Sequence, residues 1–137
     1  MCMFSDKKTF NANLDTVPQV MSLVAKLCEN LPEKTAYDIT LICEEILVNI
    51  ASYAYPGGEG SLTLSLENDT ERRTLTLVFE DSGVPFNPLL QDEPELPVSF
   101  QERKIGGLGI MMVRKRVDDV QYSYTDEKNI LTVKKYY

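Results

Sequence analysis

Leucine alternates with small polar residues over Ser61–Leu66, and the same pattern returns over Thr74–Phe79. Leu62, Leu64 and Leu66 in the first stretch, and Leu75, Leu77 and Phe79 in the second, recur with the period of a half-buried strand. Asn68-Asp69 between them supplies turn chemistry, so the two are expected to pair as a hairpin. Phe10, Ala12 and Leu14 alternate in the same way and predict a short strand near the start. From Asp15 to about Leu31 the period changes to that of a helix, with Val17, Val20, Met21, Val24, Ala25 and Cys28 apolar and Pro18 compatible with a first turn. Pro32 opens a second helix, with Glu33 in its first turn, where the helix dipole favours an acid. Its core stripe is Ile39, Ile42, Cys43, Ile46 and Ile50, and Pro56-Gly57-Gly58 stops it after about Tyr55.

The second half of the chain adds three more elements. Gly106-Gly107-Leu108-Gly109 leads into a helix with Ile110, Met111, Val113 and Val117 as apolar positions. Strands at Val120–Tyr124 and Ile130–Tyr136 flank a predicted turn at Asp126-Glu127-Lys128-Asn129. The order β-α-α-β-β-loop-α-β-β predicts an α/β fold, an α+β sandwich with helices on one face of a mostly antiparallel sheet. A chain of 137 residues holds about one domain, expected here over residues 1–137, and one of this size needs no metal or disulfide to stay folded. The stretch from about 84 to 105 differs in kind, with Pro85, Pro88, Pro94 and Pro97, the acids Asp92, Glu93 and Glu95, and little periodicity. So long a loop is a lid, a binding loop or a disordered segment, and it is expected to be mobile without a ligand.

Composition narrows the chemistry. The chain has no His, which excludes a Ser-His-Asp or Cys-His nucleophile system, a His-ligated zinc and autophosphorylation on His. Fourteen basic against 21 acidic residues give a net charge of −7, which opposes direct binding of nucleic acid or an anionic membrane. Cys2, Cys28 and Cys43 form neither a disulfide framework nor a zinc motif, and no secretory or membrane-spanning stretch is present. A cytoplasmic protein with reduced thiols is expected.

Three local features could carry function. Glu45 and Asn49 stand four residues apart on the second helix, so a carboxylate and an amide share one face beside the Ile stripe. Glu80-Asp81-Ser82-Gly83-Val84-Pro85-Phe86 follows a hydrophobic strand, where Asp81 could accept a hydrogen bond from a planar ligand and Gly83 permits close backbone approach. Free backbone N–H groups where Gly106-Gly107-Leu108-Gly109 enters its helix could hold phosphate, or the glycines could serve as a hinge.

In this order, the three features resemble the Bergerat ATP-binding fold of gyrase, heat-shock chaperone, histidine kinase and mismatch-repair ATPases. More narrowly, the chain is similar to the small anti-sigma-factor serine/threonine kinases of the RsbW type over nearly its whole length. The resemblance implies a mixed, mostly antiparallel sheet, and ATP and Mg²⁺ as cofactors. It implies Glu45 as general base or water-positioning acid, with Glu44 beside it out of register, and Asn49 as magnesium ligand. Asp81 would accept from the adenine amine, with Gly83 against the base and Phe86 also at the nucleotide. Gly107 and Gly109 would wrap the phosphates as the lid closes, with Gly106 and Leu108 also at the nucleotide. Ile105 stands where the kinases carry an Arg two residues before the Gly-x-Gly, so either Arg103 or Lys104 reaches the terminal phosphate or that contact is missing. The function implied is a protein serine/threonine kinase that acts as an anti-sigma factor in partner switching, with a sigma factor or an anti-sigma antagonist as partner and a homodimer as the expected assembly. Two alternatives stay open: a nucleotide-dependent binding module without phosphotransfer, and a detached catalytic domain of a histidine kinase.

Overall fold

Alternation decides the sheet. In the computed structural model, which describes residues 3–90 and 109–137, the elements are β1 (Met3–Asn11), α1 (Val17–Leu27), α2 (Glu33–Tyr53), β2 (Ser61–Asp69), β3 (Thr74–Asp81), α3 (Gly109–Arg116), β4 (Asp119–Thr125) and β5 (Lys128–Tyr136), with one 3-10 turn at Pro88–Leu90. The strands lie in the order β1-β2-β3-β5-β4, and all four pairings are antiparallel. The register aligns the apolar residues rung by rung: Leu64 with Phe79 and Leu131, and Leu66 with Leu77 and Val133. These side chains are buried on one face, together with Val20 and Val24 of α1, Ile39, Ile42, Ile46 and Leu47 of α2, and Val113 of α3. The other face of the sheet is more polar, with Thr9 and Thr63 joined hydroxyl to hydroxyl at 2.9 Å. This is the expected sandwich, with the sheet at the antiparallel extreme of the expected range.

Three boundaries differ from expectation, the first two because a side chain competes for backbone groups and the third because two residues suffice for the turn. β1 lies earlier than Phe10-Ala12-Leu14 suggests and leaves Leu14 53% exposed. The chain turns at Asn13, whose Oδ1 accepts from the Thr16 N–H at 2.9 Å and from its hydroxyl at 2.8 Å. In the β2–β3 hairpin, Asn68 and Asp69 pair with Leu75 and Thr74 instead of turning. Asp69 Oδ1 accepts the Arg72 N–H at 3.1 Å, and Arg73 takes the positive φ of 51°. The last hairpin turns on two residues, Asp126 at φ 55° and Glu127 at φ 61°, the conformation that suits a two-residue connection. Lys128 and Asn129 therefore belong to β5, not to the turn.

One buried ionic cluster joins three elements. Asp38 of α2, 6% exposed, lies 3.5 Å from Arg116 Nε at the end of α3 and 3.4 Å from Lys135 Nζ on β5. Lys135 Nζ also donates to the Arg116 carbonyl at 2.6 Å. Burial pushes the Cys28 thiol up to about 11 and raises Cys43 as well, so both stay protonated and unreactive at neutral pH. No helix among the described residues is long and apolar enough to cross a membrane. The expected lid begins within the described chain, but its residues 91–105 lie outside the described residues.

Candidate functional site

The site forms where the last turns of α2 meet the end of β3. Gly83 makes this junction possible. A Cβ at residue 83 would lie 2.2 Å from the Ala54 carbonyl oxygen and 2.6 Å from its Cβ, so any side chain there would force β3 and α2 apart. The Val84 N–H then donates to that carbonyl at 2.9 Å. The glycine is needed here for contact between α2 and the β3 end, a reason separate from the ligand contact that the sequence suggests.

The junction creates a pocket. Its walls include Ile46, Asn49 and Ile50 of α2, Phe79 and Asp81 of β3, and Leu131 of β5, with Phe86 from the segment beyond β3. A mostly apolar pocket with a carboxylate in its wall suits a flat heterocycle that carries an amino group. Asp81 is 7% exposed, and its Oδ1 accepts from the Gly83 N–H and from Asn129 Nδ2, both at 2.9 Å. Among the described residues its other oxygen accepts no hydrogen bond, which leaves it available to a ligand. Burial raises the Asp81 pKa, while the hydrogen bonds from Asn129 and Gly83 pull it back toward the charged form.

Asn129 is the residue the turn reading missed. It is 7% exposed and serves as the hub of the pocket. Nδ2 donates to Asp81 Oδ1 and to the Val84 carbonyl, each at 2.9 Å, while Oδ1 accepts from the Phe86 N–H at 3.1 Å and from the Tyr122 hydroxyl. The signal for it was parity, since 129, 131 and 133 alternate and Leu131 and Val133 are core residues.

Glu45 lies one turn before Asn49 on α2. Its Oε1 is inaccessible to water and has no hydrogen-bond partner among the described residues. Burial, reinforced by the neighbouring Glu44 charge, raises its pKa. An oxygen left in this state makes no structural bond among the described residues, and the raised basicity of the carboxylate suits it to receive a proton.

The structure thus brings Asn49, Asp81 and Phe86 to one pocket, with Glu45 one turn along α2 and Gly83 in the adjoining wall. Gly109 is the first residue of α3. Arg103, Lys104, Gly106, Gly107 and Leu108 lie outside the described residues. Comparison with known proteins points the same way. A family model described as a histidine kinase-like ATPase domain matches residues 10–135. The serine/threonine-protein kinase BtrW of Bordetella bronchiseptica is 31% identical over 98 residues, which cover 71% of this chain and 68% of that protein. The match runs from the first strand to the last and spans both walls of the pocket, so the chain belongs to the histidine kinase-like ATPase domain family and carries its ATP-binding fold.

Proposed function

We propose that this protein is an ATP-dependent protein serine/threonine kinase that also holds a protein partner, a sigma factor or an anti-sigma antagonist, in a stoichiometric complex. The observation that carries the reading is Glu45, a half-buried carboxylate whose Oε1 is shut off from water without a hydrogen-bond partner among the described residues, one turn from a pocket residue. Likeness to BtrW, named as a serine/threonine-protein kinase, supports the same class of reaction.

In this reading Asp81 accepts the adenine amine while Ile46, Ile50, Phe79 and Leu131 sandwich the ring. The family implies magnesium, and the donor set fits it: an ion that takes most of its ligands from phosphate and water needs only one or two protein oxygens, which the Asn49 amide can provide. Magnesium would neutralise charge on the phosphates. Glu45 orients the partner's serine or threonine hydroxyl. The hydroxyl oxygen forms a bond to the terminal phosphorus, the bond from that phosphorus to the β-phosphate oxygen breaks, and ADP leaves. The hydroxyl proton passes to Glu45 as the transition state forms, a transfer favoured by the raised basicity of this carboxylate.

The test is transfer of labelled phosphate from ATP to purified partner candidates, with wild type compared against Glu45→Gln. Transfer should fall about 10²- to 10⁴-fold, the usual size of a general-base contribution, while ATP affinity stays within a few-fold. Label on serine or threonine supports the reading. Equal transfer by both proteins removes Glu45 as the base, and wild-type protein that binds ATP but labels no partner makes the chain a nucleotide-dependent binding module.

A further inference from the structure

The β2–β3 ladder closes with Leu62 opposite Asp81, and the next pair in that register is Ser61 with Ser82. Backbone groups point to alternate sides along a strand. The Ala12 N–H donates to the Gly60 carbonyl at 2.9 Å, so Gly60 serves β1 and Ser61 faces β3. A direct bond from the Ser82 N–H to the Ser61 carbonyl would continue the ladder. A side chain stands in its place: the Tyr55 hydroxyl accepts from the Ser82 N–H at 2.8 Å and donates to the Ser61 carbonyl at 2.5 Å. A hydroxyl both donates and accepts, so it can hold two strands apart and still leave neither backbone group unpaired.

The strands part where the base site begins. Ala54 and Tyr55, consecutive residues just past α2, take the Val84 and Ser82 N–H groups, and the Gly83 N–H between them goes to Asp81 Oδ1. The turn after Asp81 is thereby held against the end of α2 instead of continuing along β2. Room for the Tyr55 ring comes from Gly60, where a Cβ would lie 2.2 Å from two ring carbons. Burial raises the Tyr55 pKa, so the hydroxyl keeps the proton it donates. Among the described residues, Tyr55 is not part of the wall of the base pocket, and its effect on a ligand passes through Asp81.

We infer that Tyr55 is a positioning residue that sets base specificity: its hydroxyl, standing in the ladder between Ser61 and Ser82, holds Asp81 where the free carboxylate oxygen meets the amine of adenine. This rests on the ATP-binding reading above. Without the hydroxyl, the Ser82 N–H and the Ser61 carbonyl close on each other and draw the turn toward β2. A hydrogen bond weakens steeply with distance and angle, whereas burial of the ring against apolar walls is non-directional. The amine contact is therefore lost before the contacts that hold the ring.

Titration calorimetry of wild type, Tyr55→Phe and Gly60→Ala with ATP and with purine riboside triphosphate, which lacks the 6-amino group, tests the assignment. Wild type should prefer ATP about ten- to a hundred-fold, the size of a hydrogen bond to a charged group. Tyr55→Phe keeps the ring and loses only the hydroxyl. Its preference should fall to about three-fold or less, while purine riboside triphosphate binds within a few-fold of wild type. Gly60→Ala drives the Tyr55 ring aside and should lose the preference in the same way. A role in stability alone would lower the melting temperature or weaken both nucleotides equally, and would leave the preference intact; that result in Tyr55→Phe overturns the inference. If Tyr55→Phe does not fold, Gly60→Ala decides by the same criterion. Wild type that binds neither nucleotide removes the ATP-binding reading and this inference with it, and wild type that binds both without preference removes the contact of Asp81 with the amine. Wild type that shows the preference, beside a Tyr55→Phe that keeps it, removes the Tyr55 assignment alone.

Discussion

Changing Asn129 separates hydrogen bonding from packing at the centre of the pocket. In Asn129→Ala, Asp81 Oδ1 and the Tyr122 hydroxyl each lose a partner, while the Val84 carbonyl and the Phe86 N–H lie in exposed residues where water replaces the amide. Counting the two less accessible bonds gives a loss of roughly 2–3 kcal/mol. At about 4 °C per kcal/mol for a chain of this size, melting should drop by roughly 8–12 °C. Asn129→Asp keeps the shape but replaces the donor that meets Asp81 Oδ1 and the Val84 carbonyl with another acceptor. At pH 8 two carboxylates then face each other, and this variant should melt below Asn129→Ala. Their repulsion raises the pair's pKa in the folded protein above the unfolded value near 4, so the folded state binds the extra proton. Stability of Asn129→Asp should therefore rise as pH falls through the window above 4, because a shared proton restores a donor. Thermal melting of the three proteins at half-unit steps from pH 8 to pH 5 reads this directly. If Asn129→Asp tracks wild type across the range, the amide does not donate to Asp81 and the hub assignment is wrong.

Asp81→Ala should weaken ATP binding about ten- to a hundred-fold by calorimetry, since the adenine amine loses its acceptor; unchanged affinity would remove Asp81 from the site. Gly83→Ala must displace the Ala54 carbonyl, and an overpacking cost of about 1–3 kcal/mol should appear as a lower denaturation midpoint together with weaker ATP binding. A variant as stable as wild type would show that the two walls are not in tight contact. Glu45→Gln should raise the melting temperature at pH 7 to 8. The raised carboxyl pKa means that wild-type stability falls as pH rises from the ordinary value of 4.5 through the folded value, so the advantage of the variant should close as pH is lowered to 4.5. A constant difference across that range would assign the effect to packing instead of charge.

The elements were legible because each has one apolar face. Leu62-Leu64-Leu66 and Ile39-Ile42-Ile46 announce their periods directly, and both stripes are buried as expected. Asn49 and Asp81 were legible for a different reason: a polar side chain on the flank of a core stripe, or at the end of a buried strand, is well placed for a pocket. Asn129 was not legible as a site residue because asparagine beside Asp-Glu-Lys reads as turn chemistry, and the two left-handed residues Asp126 and Glu127 already complete the turn. Gly83 was legible as a special position, but one of the reasons for it was not. Its need for close approach comes from Ala54, 29 positions earlier, and no local pattern reveals that neighbour.

The Asp38 cluster has a mechanical consequence. It ties the last residue of α3 both to α2 and, through Lys135, to β5, the strand that carries Asn129. Gly109, at the opposite end of the same helix, has no share in that anchorage. α3 is therefore held at its last turn from two sides, by Asp38 of α2 and through Lys135 by β5, while Val113 in its middle packs into the core. The charge cluster thus fixes where α3 ends relative to the strand that carries Asn129, and so links the end of one helix to one wall of the pocket.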